Sequence, residues 1–109
     1  MSFDSDLEIA VVTGELPDFH ALRASIVKQL EDDGIHPDVF NAIKEAFLSS
    51  RAHFRVHPVY LLQLLDEIAQ LFPGLAFNAR GLGEWFRETW IAEYRDGQRV
   101  YTQGPWDED

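Results

Sequence analysis

The side chains that could bind a metal ion here are histidines and carboxylates, because the chain contains no cysteine. The four histidines are His20, His36, His53 and His57. His53 and His57 have the i, i+4 spacing of metal ligands on a helix. The alternation of apolar and polar residues around them predicts a strand instead, in which they would lie about 13 Å apart. We therefore expect neither a metal site nor a cofactor, and without thiols no disulfide can form.

Residues with the pattern of an enzyme active site are not evident. Gly81-Leu82-Gly83 is rich in glycine, but a phosphate-binding loop needs a following helix and usually a lysine. Glu84 and Trp85 follow, so we interpret the segment as a turn between strands. Three serines lack the context of a nucleophile elbow: Ser25, Ser49 and Ser50. We predict that the chain is not an enzyme. A small enzyme or ligand-binding domain with a pocket between helices and sheet remains the alternative.

Negative charge is the strongest signal in the sequence. Nineteen acidic residues and nine basic ones among 109 positions give a formal net charge of −10. Residues 1–50 hold ten of the acids and three of the bases, so most of the excess lies in the first half of the chain. A surface of this kind repels nucleic acid and anionic lipid and attracts basic partners.

The acidic residues most suggestive of binding follow the predicted first helix. Glu31, Asp32 and Asp33 lie at its C-terminal end, where the helix dipole disfavours negative charge, and Asp38 follows after a short loop. A cluster that costs stability can be retained for binding a basic partner, but a solvated helix end has the same appearance. Further candidates are Glu84 and Trp85, and then the tail residues Asp107, Glu108 and Asp109.

Arginines lie among aromatic residues in the last third of the chain, a pattern found on sheets that bind single-stranded RNA. The arginines are Arg80, Arg87, Arg95 and Arg99. Four acids lie among them and cancel their charge: Glu84, Glu88, Glu93 and Asp96. We therefore predict cross-strand ion pairs rather than nucleic-acid binding.

The periodicity of apolar residues predicts a single α+β domain over residues 1–109, with the element order β-α-α-β-α-β-β-β. We expect the helices to pack on one face of a mostly antiparallel sheet, with a split β-α-β unit of the ferredoxin-like kind. Predicted helices begin near Pro17, Pro37 and Pro58. The first ends near Asp33 and the third near Phe72, and the second carries Val39, Phe40, Ile43 and Phe47 on its inward face. Predicted strands span Leu7–Val12, Arg51–Val56, Leu75–Arg80, Phe86–Arg95 and Gln98–Gln103.

Asp96-Gly97 is a strong signal for a two-residue hairpin turn. Such a turn pairs Arg95 with Gln98 and Tyr94 with Arg99, and continued regular pairing would place Ala92 opposite Tyr101. One face of the hairpin would then carry Trp90, Ala92, Tyr94 and Tyr101. We expect this face to join the core, and an exposed aromatic platform for a partner is the alternative.

These observations together favour a small binding protein that neutralises a basic protein partner. The chain is similar in size, acidity and lack of catalytic motifs to immunity proteins against secreted toxins such as nucleases. That analogy implies an antitoxin in the cytoplasm, which agrees with the missing cysteines, the acidic N-terminus and the lack of a membrane-spanning apolar run. A second hypothesis is an acidic DNA mimic that antagonises a nucleic-acid-handling defence complex.

Overall fold

A computed structural model describes residues 5–83 and 89–104, which form three helices and five strands. The helices are α1 (Phe19–Asp32), α2 (Asp38–Ser49) and α3 (Pro58–Leu71). The strands are β1 (Ser5–Thr13), β2 (Arg51–Phe54), β3 (Ala76–Gly83), β4 (Trp90–Arg95) and β5 (Gln98–Gln103). The predicted α+β class and element order are confirmed.

The five strands form one sheet in the order β2-β1-β3-β4-β5, and all neighbours are antiparallel. Because β2 and β3 both run antiparallel to β1, which lies between them, they are parallel to each other. The unit β2-α3-β3 is therefore a split β-α-β unit. The complete chain order differs from the β-α-β-β-α-β order of the ferredoxin-like fold.

The first helix begins two residues later than its proline suggested. Pro17 was expected inside the first turn, but it precedes the N-cap residue, Asp18. The Asp18 carboxylate accepts the backbone N–H groups of His20 and Ala21, which satisfies two of the free donors at the helix start. The periodic residues of α1 lie inward as expected, with Leu22, Ile26 and Leu30 fully buried.

The third helix presents the widest apolar arc to the sheet. Its buried residues are Pro58, Leu61, Leu62, Leu64, Leu65, Ile68 and Ala69. The helix contacts β4 and β5, whereas α2 contacts β1 and β2. The helices thus divide the sheet between them and cover one face.

Trp90, Ala92 and Tyr94 of β4 point into the core, with at most 1% of each residue exposed. The Tyr94 ring stacks on Phe77 at 4.7 Å between centroids. The Tyr94 hydroxyl donates a hydrogen bond to Asp66 of α3 at 2.8 Å, so it also ties the sheet to the helix layer. These three residues of the predicted aromatic face therefore belong to the core, as expected.

Tyr101 was expected on the same face, and that prediction is wrong. Tyr94 pairs with Arg99, but Glu93 pairs with Tyr101, so β5 has one extra residue, Val100, at this point. A bulge of this kind shifts the alternation of side chains by one position. Tyr101 therefore lies beside Glu93 and is 48% exposed.

The turn predicted at residues 81–83 is also absent, because β3 continues through Gly83 and pairs with the start of β1. Gly81 lies opposite both Leu7 and Trp90. A Cβ atom at this position would overlap the Trp90 indole, so the glycine is required by close packing rather than by a turn. Of the strand predicted over Phe86–Arg95, residues 86–88 fall outside the described residues and β4 begins at Trp90.

We predict that Tyr94→Phe lowers the free energy of unfolding by about 1.5–3 kcal/mol, because a hydrogen bond to a carboxylate is lost. Burial and the bond to Asp66 raise the pKa of Tyr94. The unfolded tyrosine loses its proton near pH 10 while the folded one keeps it, so this stabilisation is complete below pH 10 and declines above it. Chemical denaturation from pH 7 to 11.5 should show a shallower alkaline decline for the variant. If the free energy of unfolding declined equally with rising pH in the wild type and in Tyr94→Phe, this account would be contradicted. An equal loss of stability in the exposed control Tyr101→Phe would also contradict it.

Candidate functional site

Four of the predicted acidic site residues lie at one exposed corner of the helix layer. Glu31 and Asp32 end α1, Asp33 is its C-cap, and Asp38 begins α2. All four are exposed. We call these four residues the acidic corner.

A glycine-dependent helix end shapes the acidic corner. Gly34 has a φ of +71°, and its N–H donates to the Glu31 carbonyl at 3.1 Å. The N–H of Ile35 donates to the Leu30 carbonyl at 2.8 Å, which completes a Schellman motif. The Ile35 side chain packs against the core. The chain therefore reverses sharply and holds the acids before and after Gly34 on one corner.

Histidines begin both helices that flank the acidic corner. The Nδ1 atom of His36 accepts the Asp38 N–H at 3.1 Å, and the Nδ1 atom of His57 accepts the Val59 N–H at 3.1 Å. Each histidine precedes a proline. His57 is the N-cap residue of α3, whereas His36 lies one residue before the N-cap residue of α2, Pro37. The spacing of His53 and His57 therefore has a structural explanation, because His53 lies in β2 with its Nδ1 atom 3.0 Å from Asp6. Among the described residues, no three histidine or carboxylate side chains are arranged to hold a metal ion.

Tyr60 and Glu67 of α3 extend the acidic corner, and sequence reasoning missed both. The Tyr60 hydroxyl donates to the Asp33 carboxylate at 2.8 Å. Burial, followed by this hydrogen bond, raises the pKa of Tyr60. Burial and the nearby Asp33 charge also raise the pKa of Glu67. The Asp33 charge thus disfavours ionisation of Glu67, and a bound cation close to both carboxylates would oppose that effect.

A surface groove of about 570 Å³ adjoins the acidic corner. Its apolar lining comes from Ile35, Val56 and Tyr60, and its polar lining from Asp33, Arg55, His57 and Gln63. The acidic corner beside this partly apolar surface offers both long-range attraction and contact area to a protein partner.

Two acids on the open face of the sheet, Asp6 and Glu8, are by contrast held in ion pairs. Asp6 lies 2.6 Å from Arg51 and 3.0 Å from His53, and these two partners lower the pKa of its carboxyl group. Glu8 pairs with Arg51 at 3.5 Å and also with Arg80. Cross-strand ion pairs therefore compensate these charges, but they differ from the predicted ones. Arg80 pairs with Glu8 of β1, and Arg99 pairs with Asp66 of α3, rather than with the acids of the late strands.

A depression of about 580 Å³ lies on this open face, lined by Glu8, Ala10, Arg51, Asn78, Arg80 and Ile91 among others. Both arginines of this depression are ion-paired with Glu8. Between helices and sheet, the described residues form one continuous apolar core.

The remaining predicted site residues, Glu84, Trp85, Asp107, Glu108 and Asp109, lie outside the described residues.

A comparison of the chain with protein-family models, curated proteins and solved structures gave no match. Within the residues that the structure describes, no helix is long and apolar enough to cross a membrane.

We predict that Gly34→Ala lowers the free energy of unfolding by roughly 1–2 kcal/mol, because alanine is strained at positive φ. No other atom lies within 4 Å of the added Cβ, so the loss is conformational and not steric. Gly74→Ala is the matched control, since Gly74 has equally open space without a positive φ. Urea denaturation of both variants would measure the difference, and equal stabilities would contradict this assignment of the helix end.

Proposed function

We propose that this protein binds a basic protein through the acidic corner and thereby neutralises it. One observation carries the proposal. Ion pairs between described residues compensate Asp6 and Glu8 on the sheet, yet they leave the acidic corner without a lysine or arginine partner. Carboxylates that the protein does not pair internally are available to pair with a partner.

Electrostatic steering would accelerate association with the basic partner. The excess charge raises the rate of encounter with a basic surface, and the adjoining groove supplies contact area once the partner has arrived. Retaining three acids at a helix C-terminus costs stability in the free protein, because they oppose the helix dipole. A bound cationic side chain would offset that cost.

We further propose that the partner is a toxin such as a nuclease, and that the protein acts in the cytoplasm as an immunity protein. The support is the analogy of size, acidity and absence of catalytic motifs, together with the exposed acidic corner. A nuclease needs basic residues to hold nucleic acid. An acidic corner could occupy such residues directly.

The DNA-mimic hypothesis is less well supported by the charge layout. Mimicry requires carboxylates spaced in regular rows like phosphates. Among the described residues, four acids without a lysine or arginine partner lie together at the acidic corner, which favours a cognate basic partner.

To test the proposal, tagged wild-type protein and the variant Glu31→Lys/Asp32→Lys are compared in binding to a panel of basic nuclease domains. The control, Glu15→Lys/Glu45→Lys, changes the net charge equally at exposed positions away from the acidic corner. We expect the corner variant to weaken binding at least about 10-fold, a loss typical of interfacial charge pairs. The control should weaken binding no more than about 3-fold.

Two outcomes would overturn the proposal. Binding that does not weaken between low and moderate salt would exclude electrostatic steering as the mechanism. Equal losses in both variants would show that net charge matters and the acidic corner does not. The variant Asp33→Asn removes the charge of Asp33 but keeps an oxygen that can accept the Tyr60 hydrogen bond. Its effect on binding therefore separates loss of charge from loss of structure at this residue.

We also predict that Glu31→Lys/Asp32→Lys makes the free protein more stable, although it weakens binding. Each reversal converts an unfavourable interaction with the helix dipole into a favourable one of about 0.3–1 kcal/mol. Thermal unfolding of the same two double variants measures this effect. The control reveals any gain from reduced net charge alone, and a corner variant no more stable than the control would refute the dipole explanation.

A further inference from the structure

The last strand, β5, is exposed at all six of its residues although it belongs to the sheet. It lies at the edge of the sheet, and no described strand pairs with its outer side. Val100 is 55% and Tyr101 48% exposed, and Ile91 of the neighbouring strand is 37% exposed. An edge of this kind presents unpaired backbone N–H and C=O groups beside apolar side chains.

The two edges of the sheet are protected to different degrees. The β2 edge is only four residues long and carries Arg51 and His53. Short, charged edge strands discourage pairing with another chain. The β5 edge is longer and has neither proline nor lysine, and its one charged residue, Arg99, lies 3.4 Å from Asp66 of its own chain.

We propose that β5 pairs antiparallel with β5 of a second copy of this chain, giving a dimer with a continuous sheet. With the two-fold axis between Val100 and Tyr101, Val100 lies opposite Tyr101 of the second copy. Arg99 then lies opposite Thr102, and Gln98 opposite Gln103. The register is self-complementary, because the aromatic residue meets a β-branched one and the two copies of Arg99 do not face each other.

This register also agrees with the two faces of the sheet. Arg99 pairs with Tyr94 and Thr102 pairs with Ala92, so both lie on the helix-covered face. Residues opposite each other in a sheet share a face. The bulge at Val100 bends β5, and in a two-fold dimer both strands carry that bend at their centres.

The charge distribution favours β5 over β2 as the dimer edge. Asp33 lines the same groove as Arg55 and Val56, which follow β2, so the acidic corner belongs to the β2 end of the sheet. Strand β5 is four strand spacings away, or about 19 Å. Pairing through β5 therefore places the two acidic corners at opposite ends of the dimer and keeps both available.

Sedimentation equilibrium on Thr102→Glu and Thr102→Arg tests the register. Thr102→Glu places a carboxylate opposite Arg99 of the second copy twice per dimer, and we expect it to tighten the dimer roughly 2- to 30-fold. Thr102→Arg opposes like charges and should weaken the dimer by a similar factor. If repulsion between the net charges of the two molecules controlled the affinity instead, Thr102→Arg would form the tighter dimer. Thr102→Glu adds to the negative net charge, whereas Thr102→Arg reduces it.

A third variant, Val100→Lys, charges the centre of the edge and should make the protein monomeric. Far-ultraviolet circular dichroism and thermal unfolding confirm that each variant is folded. A monomeric wild type at millimolar concentration in moderate salt would overturn the proposal and would mean that the bulge alone protects this edge. Equal dimer constants for Thr102→Glu and Thr102→Arg would overturn the register.

The dimer and the basic-partner proposals fail separately. Raising the salt concentration should strengthen the dimer, because it screens repulsion between two acidic chains, but it should weaken binding at the acidic corner.

Discussion

The burial of one sheet face under three helices is the constraint on which the rest of the structure depends. Strand β4 shows it most clearly, since Trp90, Ala92 and Tyr94 alternate inward with more exposed neighbours. The hydrogen bond from Tyr94 to Asp66 then fixes α3 against that strand. Because the described helices cover only one face, polar and charged residues can occupy the other face at a smaller cost in desolvation.

That one-sided arrangement decides where the acidic excess can act. On the open face, neighbouring strands place Arg51 and Arg80 on either side of Glu8, so cross-strand geometry compensates its charge. The end of α1 has no strand beside it to supply such partners. Within the described residues, the acidic corner consequently has no lysine or arginine partner, which is why we propose it as the surface that binds a basic protein.

The fold also separates two surfaces with different chemistry. The acidic corner attracts through charge at long range, whereas the β5 edge offers backbone hydrogen-bonding groups and apolar contacts at short range. They lie toward opposite ends of the sheet, so occupation of one does not obstruct the other. A dimer through β5 would present two acidic corners, which would increase avidity for any partner that is itself multivalent.

The sequence by itself determined the class, the order of elements and the residues of the acidic corner. Periodicity and caps such as Asp18 and Gly34 are local signals, and local signals depend on neighbours in the chain. Tertiary structure decided the rest. Gly81 was expected in a turn because its packing against Trp90 is not visible in the chain order.

The position of Tyr101 and the roles of Tyr60 and Glu67 show the same limit. One bulged residue changes the face of every side chain beyond it, and no local pattern marks the bulge at Val100. Tyr60 meets Asp33 from a different helix, 27 residues away in the sequence. Contacts between distant segments arise only when the helices pack on the sheet, so charge compensation, the groove and the open edge were decided by the tertiary structure.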